Sequence, residues 1–139
     1  MITEDYVSFD TAKLLKEKGF DESCVYVYHD GELQLVSSLG IFYGEGYGEQ
    51  ILTYNNSECS WSPIMISAPT LQMAMKWLRE EKGIAVIPII DSVLDFEKFL
   101  WDVKIVVAKT NDSYSQGWVY EKQEDSCEAA IKYCLENLI

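Results

Sequence analysis

Residues 19–75 contain no lysine and no arginine, while Asp21, Glu22, Asp30, Glu32, Glu45, Glu49 and Glu58 all fall in that stretch. Over the whole sequence 11 Lys and Arg face 23 Asp and Glu, a formal net charge of −12. Affinity for nucleic acid comes largely from cations that displace the counterions condensed on phosphate, so direct binding to DNA or RNA is not expected. Histidine is scarcer still. His29 is alone, which excludes two-histidine metal motifs and any relay through a second imidazole. Composition leaves open a dyad of Cys24 or Cys59 with His29 as base, but neither thiol lies in a glycine elbow or a nucleophile motif.

Long apolar runs are missing too. No stretch nears the ~18 apolar residues of a membrane span, and MITEDYVSFD has neither the basic patch nor the apolar core of a signal peptide. The four cysteines lack paired spacing, and without an export signal they read as reduced thiols in a cytoplasm. Only three residues are proline and 48% are hydrophobic, too apolar a composition for a disordered chain. A length of 139 residues suits one globular domain spanning 1–139 around one core.

No cofactor is expected. The nearest approach to a phosphate loop is GEGYG at 44–48, but a dinucleotide fingerprint needs glycine where Glu49 stands, and the Gly-Lys-Ser/Thr ending of a Walker loop is absent. Asp91, Asp95, Glu97 and Asp102 cluster in DSVLDFEKFLWD, yet the segment has apolar residues where a calcium loop needs ligands and a central glycine. These acids read as a solvated face.

What is present is patterned. VSFDTAKLLKEKGF forms a helix, with Ser8 as N-cap, Val7 stapling against Ala12, and Gly19 as the stop. CVYVYHDGELQLVSS reads as a hairpin around Asp30-Gly31, and alternation leaves open which face is core. Residues 40–67 hold four glycines and YNNSECSWSP, which suggests loops with short strands near 50–54 and 64–66. APTLQMAMKWLREEKG is a helix with Pro69 in its first turn, Gly83 past its end, and a stripe of Leu71, Ala74, Met75 and Leu78.

IAVIPII fits a strand covered on both sides, although Pro88 argues for an edge or a bulge. DSVLDFEKFLWD reads as a short helix or a connection, and VKIVVAKT and GWVYEK as two strands joined through NDSYSQG. The last helix, SCEAAIKYCLENLI, has a capping box in Asp125 and Glu128. Cys127, Ala130, Ile131, Cys134, Leu135 and Leu138 fall on one of its stripes. Seven residues along a helix is roughly 10.5 Å, too far for Cys127 and Cys134 to bond or to share a zinc, so both read as small buried hydrophobes. The expected fold is α+β, a single-layer, mostly antiparallel sheet with three helices, ordered helix-hairpin and then helix-strand-strand-strand-helix. That second half has the element order of double-stranded-RNA-binding domains, but EKQEDSCEAA is acidic where those present cations to phosphate.

Three stretches, EDYVSFDTAKLLKEKGFDE, APTLQMAMKWLREEKGI and SCEAAIKYCLENLI, together resemble a family of small uncharacterised proteins that recur in phages and integrated mobile elements of gut Bacteroidales. The resemblance implies an accessory protein in the cytoplasm of a bacterial host. It carries no catalytic residue, cofactor or activity over to this chain.

The cation-free stretch is also aromatic, holding Phe20, Tyr26, Tyr28, Phe42, Tyr43, Tyr47, Tyr54 and Trp61. Tyr and Trp are enriched at interface hot spots, and acidic surroundings favour a basic partner. The leading expectation is therefore a non-enzymatic module that binds a host or phage protein of basic character through Tyr43, Glu45, Tyr47, Glu49, Tyr54 and Trp61. Two other readings stand beside it: a small-molecule-binding protein or small enzyme with a pocket of Tyr and carboxylate side chains, and a nucleic-acid mimic. Association with further copies of the chain is compatible with each.

Overall fold

The computed structural model of the protein describes residues 2–35 and 65–139. In chain order these form α1 (Phe9–Glu17), β1 (Tyr26–His29), β2 (Glu32–Leu35), β3 (Met65–Ser67), α2 (Leu71–Lys82), β4 (Ile84–Leu94), β5 (Lys98–Val107), β6 (Asp112–Ser115) and α3 (Gln123–Asn137). The α+β class and the element order are those expected. The strands are divided between two three-stranded antiparallel sheets, β2-β1-β3 and β4-β5-β6, rather than gathered in one. The described residues fall into two compact units: an N-terminal unit between Tyr6 and Pro69, and a C-terminal unit of Thr70–Ile139 with the residues up to Asp5.

In the N-terminal unit, Ser8 Oγ accepts the Thr11 N–H at 3.2 Å, and Val7 and Ala12, the two ends of the staple, are fully buried. The helix closes in a Schellman arrangement. Gly19, at φ 93°, donates to the Lys16 carbonyl and Phe20 donates to the Leu15 carbonyl at 2.9 Å, and Phe20 and Leu15 are both buried, as the motif favours.

The Asp30-Gly31 turn joins β1 to β2 in register from His29↔Glu32 to Tyr26↔Leu35, and β1 pairs on its other side with β3. The face left open by the sequence is settled by packing. Val27 is wholly buried, while Tyr26 and Tyr28 on the opposite face are half-buried against Tyr6 and Phe9, with ring centroids 4.6 and 5.4 Å apart. The Tyr28 hydroxyl donates to the Val7 carbonyl at 2.6 Å, which ties the strand to the entry of α1.

In the C-terminal unit, the cap of α2 is Thr70, whose hydroxyl accepts the Met73 N–H at 3.1 Å. Pro69 therefore precedes the cap instead of occupying the first turn. Gly83 ends the helix in the left-handed region at φ 67°. Helix α3 begins earlier than its expected capping box. Gln123 is its first residue, so Asp125 lies inside the first turn and complements the helix dipole, and the flanking Lys122 supplies no side-chain cap. Cys127, Ala130, Ile131, Cys134 and Leu135 are buried as the stripe requires, and Leu138 is half-buried.

Helices α2 and α3 pack against one another; α2 covers β4 and α3 covers both β4 and β5. The core there joins Leu78, Ile131 and Leu135 to Ile84, Val86, Val103 and Ile105 at the base of the hairpin. Each such side chain stabilises the fold by roughly 1.5–3 kcal/mol when withdrawn from water.

Two strand assignments need correction. DSVLDFEKFLWD is neither helix nor connection; it is the end of β4, a tight turn, and the start of β5. The third strand of this sheet is the polar DSYS of β6, read from sequence as part of a loop, whereas GWVYEK contributes only an isolated bridge between Tyr120 and Trp101. A strand whose residues are all exposed has no apolar alternation to reveal it.

Candidate functional site

The β4–β5 hairpin is two objects in one. Ladder partners share a face, so Ile84, Val86, Pro88 and Ile90 lie on the same side as Val107, Ile105, Val103 and Trp101, and beyond a bulge between Ile90 and Ser92 that face continues as Val93 and Phe99. The base of the face is core. Its distal end is in solvent: Ile90, Val93 and Phe99 are 51, 54 and 51% exposed. The opposite face presents Ile87, Ile89 and Leu94, also exposed.

IAVIPII is a strand as expected, but it is not covered on both sides: burial reaches only Ile84 and Val86, and Ile87, Ile89 and Ile90 are exposed. Unpartnered apolar side chains gathered on one element mark an interaction surface, whereas isolated ones do not. Phe99 and Trp101 meet edge to face at 5.9 Å and give this surface an aromatic centre.

The turn at the tip is unusual in composition. Glu97 N–H donates to the Leu94 carbonyl at 3.0 Å, and the two residues between, Asp95 and Phe96, have φ of 52° and 58°. Such primed turns suit the twist of a hairpin but call for residues that tolerate positive φ. Aspartate does so, but phenylalanine is a steric outlier there, at a cost of about 1–2 kcal/mol. The Phe96 side chain is 100% exposed, so nothing among the described residues repays that cost.

The free edge of the hairpin is blunted. On β5 the Trp101 amide bonds the Tyr120 carbonyl and the Val103 amide bonds the Asp102 carboxylate at 2.7 Å, so these odd-numbered residues turn their amides away from β4. Pro88, opposite Val103, therefore sits at a non-hydrogen-bonded pair, with its donorless nitrogen on the outer edge.

Asp102, which the sequence places in a solvated acidic face, is instead buried. Its carboxylate also accepts the Ser115 hydroxyl at 2.9 Å, filling the gap where β6 ends. Asp91, Asp95 and Glu97 are exposed around the tip, with Lys98 as the only cation among residues 91–98.

The other sequence candidates separate. Tyr43, Glu45, Tyr47, Glu49, Tyr54 and Trp61 lie outside the described residues, as do Cys59, the GEGYG loop and the strand expected near 50–54. Cys24 is no activated nucleophile. It is buried, its thiol donates to the Glu22 carbonyl at 3.5 Å, and burial, aided by the Glu22 charge, pushes its pKa up to about 12. His29 faces the Asp30 carboxylate at 3.8 Å. Burial likewise raises Cys127, and raises Cys134 to about 12.

A shallow cleft of about 200 Å³ beside Thr70 and Leu71 is rimmed by the acids Glu4, Asp5 and Glu124. Among the described residues no group of three His, Cys, Asp or Glu is arranged to hold a metal, and no helix is long and apolar enough to cross a membrane.

No family model, curated protein or solved structure matches this chain.

Proposed function

We propose that this chain is a non-enzymatic protein-binding module, an accessory factor of a phage or mobile element, and that it engages its partner through the distal half of the β4–β5 hairpin. The observation that carries the reading is the exposure of Ile87, Ile90, Val93, Leu94, Phe96 and Phe99 on one continuous ribbon whose base is anchored in the core. An apolar ribbon left in water promotes aggregation unless a partner covers it. The rigid base holds it ready, which lowers the ordering cost of binding. The acidic and aromatic stretch containing Tyr43, Tyr47, Tyr54 and Trp61 supports the same class of function by composition. The accessory role rests on the resemblance of the three quoted stretches.

The test is affinity purification of the tagged chain from the bacterium that encodes it, beside a variant carrying Ile90→Asp and Phe99→Asp. A stoichiometric protein should co-elute with the native chain and be lost from the variant, while the urea midpoint of the variant stays close to native. Full retention of that protein by a folded variant would remove the hairpin from the function.

A further inference from the structure

Building on that reading, we infer that Phe96 is the anchor of the hairpin, held in a left-handed turn in order to enter an apolar pocket rimmed by lysine or arginine on a protein partner. Three observations on this hairpin converge. The first is the turn itself. The chain has three hairpin turns among its described residues, and at their positive-φ positions two of them use residues that suit the conformation: Asp30 with Gly31 at φ 52° and 81°, and Asn111 at φ 58°. Only the β4–β5 turn places a bulky aromatic in that region, and there the side chain is wholly exposed. A residue that is strained in its backbone and unburied in its side chain contributes nothing favourable to the folded state alone.

The second observation concerns how a partner must approach. Strand addition needs a run of free donors and acceptors along an edge, but the outer edge of β4 is interrupted by Pro88 and then by the bulge before Ser92. What the hairpin offers is its side chains: Phe96 at the tip, with Val93 and Phe99 behind it on one face and Leu94 on the other.

The third observation is charge. Asp91, Asp95 and Glu97 surround the tip against a single Lys98, on a chain of net charge −12. A second copy would bring like charges together at the contact, and an anionic lipid surface would repel the tip. A pocket with a cationic rim complements it, steering the encounter and setting its salt dependence.

The experiment selects binders to the intact native chain from a displayed library of random peptides, then measures the enriched peptides against variants. Enriched sequences should combine apolar or aromatic residues with Lys or Arg, and their affinity should fall as salt rises. Phe96→Gly should weaken them by about tenfold or more and at the same time raise the urea midpoint, a pairing of losses and gains that a structural role for Phe96 would not produce. Pro88→Val, which restores a donor to the edge, should leave the affinity unchanged.

Tighter binding by Pro88→Val would replace side-chain docking with strand addition. Binding abolished by Ile90→Asp with Phe99→Asp but indifferent to Phe96→Gly would overturn the anchor and leave the docking hairpin standing. Peptides devoid of cations would overturn the charged rim. Flotation of the native chain with phosphatidylcholine and phosphatidylglycerol vesicles, or a dimer in sedimentation equilibrium that Phe96→Gly dissolves, would assign the tip to a membrane or to a second copy. Peptides insensitive to every hairpin variant would remove both the anchor and the hairpin.

Discussion

The β1–β2 and β4–β5 hairpins are built from the same kind of strand and differ in what each does with its turn and its faces. The first is short, turns through Asp30-Gly31, and has Val27 sealed on one face and Tyr26 and Tyr28 packed on the other. The second runs from Ile84 to Val107, turns through Asp95-Phe96, and keeps only its base in the core. In the first hairpin the turn residues suit their conformation and the apolar residues of β1 are covered, with Leu33 on β2 left exposed. In the second the distal choices oppose folding, and local conflict of that sort concentrates where a protein meets something other than itself.

Mutations of graded size sharpen this contrast. The largest effect is expected at the buried base of the long hairpin. Ile105→Ala removes a side chain with no exposed surface and should lower stability by about 2–5 kcal/mol in urea unfolding, whereas alanine at the exposed Phe99 should stay within about 0.5 kcal/mol of native. Comparable losses at both positions would mean that the hairpin is core along its whole length, and the contrast would collapse.

A smaller effect separates the two turns. Gly31→Ala forces a Cβ into φ 81° with open space around it, so the cost is conformational and should be about 1 kcal/mol. Its sign is opposite to that of Phe96→Gly, and two turns responding with the same sign would show that Phe96 is not strained.

At neutral pH the smallest effect comes from the buried thiols, because their titration sets in only above pH 9. Cys24 beside the first hairpin and Cys134 in the helix that covers the second are both raised from 9.0 to about 12 by burial. Below pH 9 folded and unfolded chains both hold these protons. Between 9 and about 12 the unfolded chain releases them while the folded chain retains them, so stability falls as pH rises through that window. Alkylation should follow the same rule, negligible in the native state and fast in urea. Rapid native labelling of either cysteine would contradict its burial.

Much of this architecture is legible in the sequence. Ser8 and Gly19 bound α1, Asp30-Gly31 marks its turn, Gly83 stops α2, and the spacing from Cys127 to Leu135 identifies the face of α3 that is buried. The failures share a cause. The segment around Asp95 and Phe96 lacks the glycine that usually follows aspartate in such a turn, so its sequence reads as helix or connection; β6 is polar because both of its faces are wet. The hairpin surface was hidden for a further reason: IAVIPII has the same apolar pattern whether it is covered or bare.

Cap chemistry, turn tolerance and apolar period act between residues close in the chain, and so the sequence by itself determined the helices, the first hairpin, the α+β class and the acidic balance. Burial is a property of what packs on what. Only the tertiary structure decided that cover on β4 stops beyond Val86, that Asp102 is withdrawn from solvent to close a gap in the ladder while its acidic neighbours stay out, and that Phe96 stands exposed at the tip. Those decisions depend on where α2, α3 and β6 end, which no local pattern around residue 96 records.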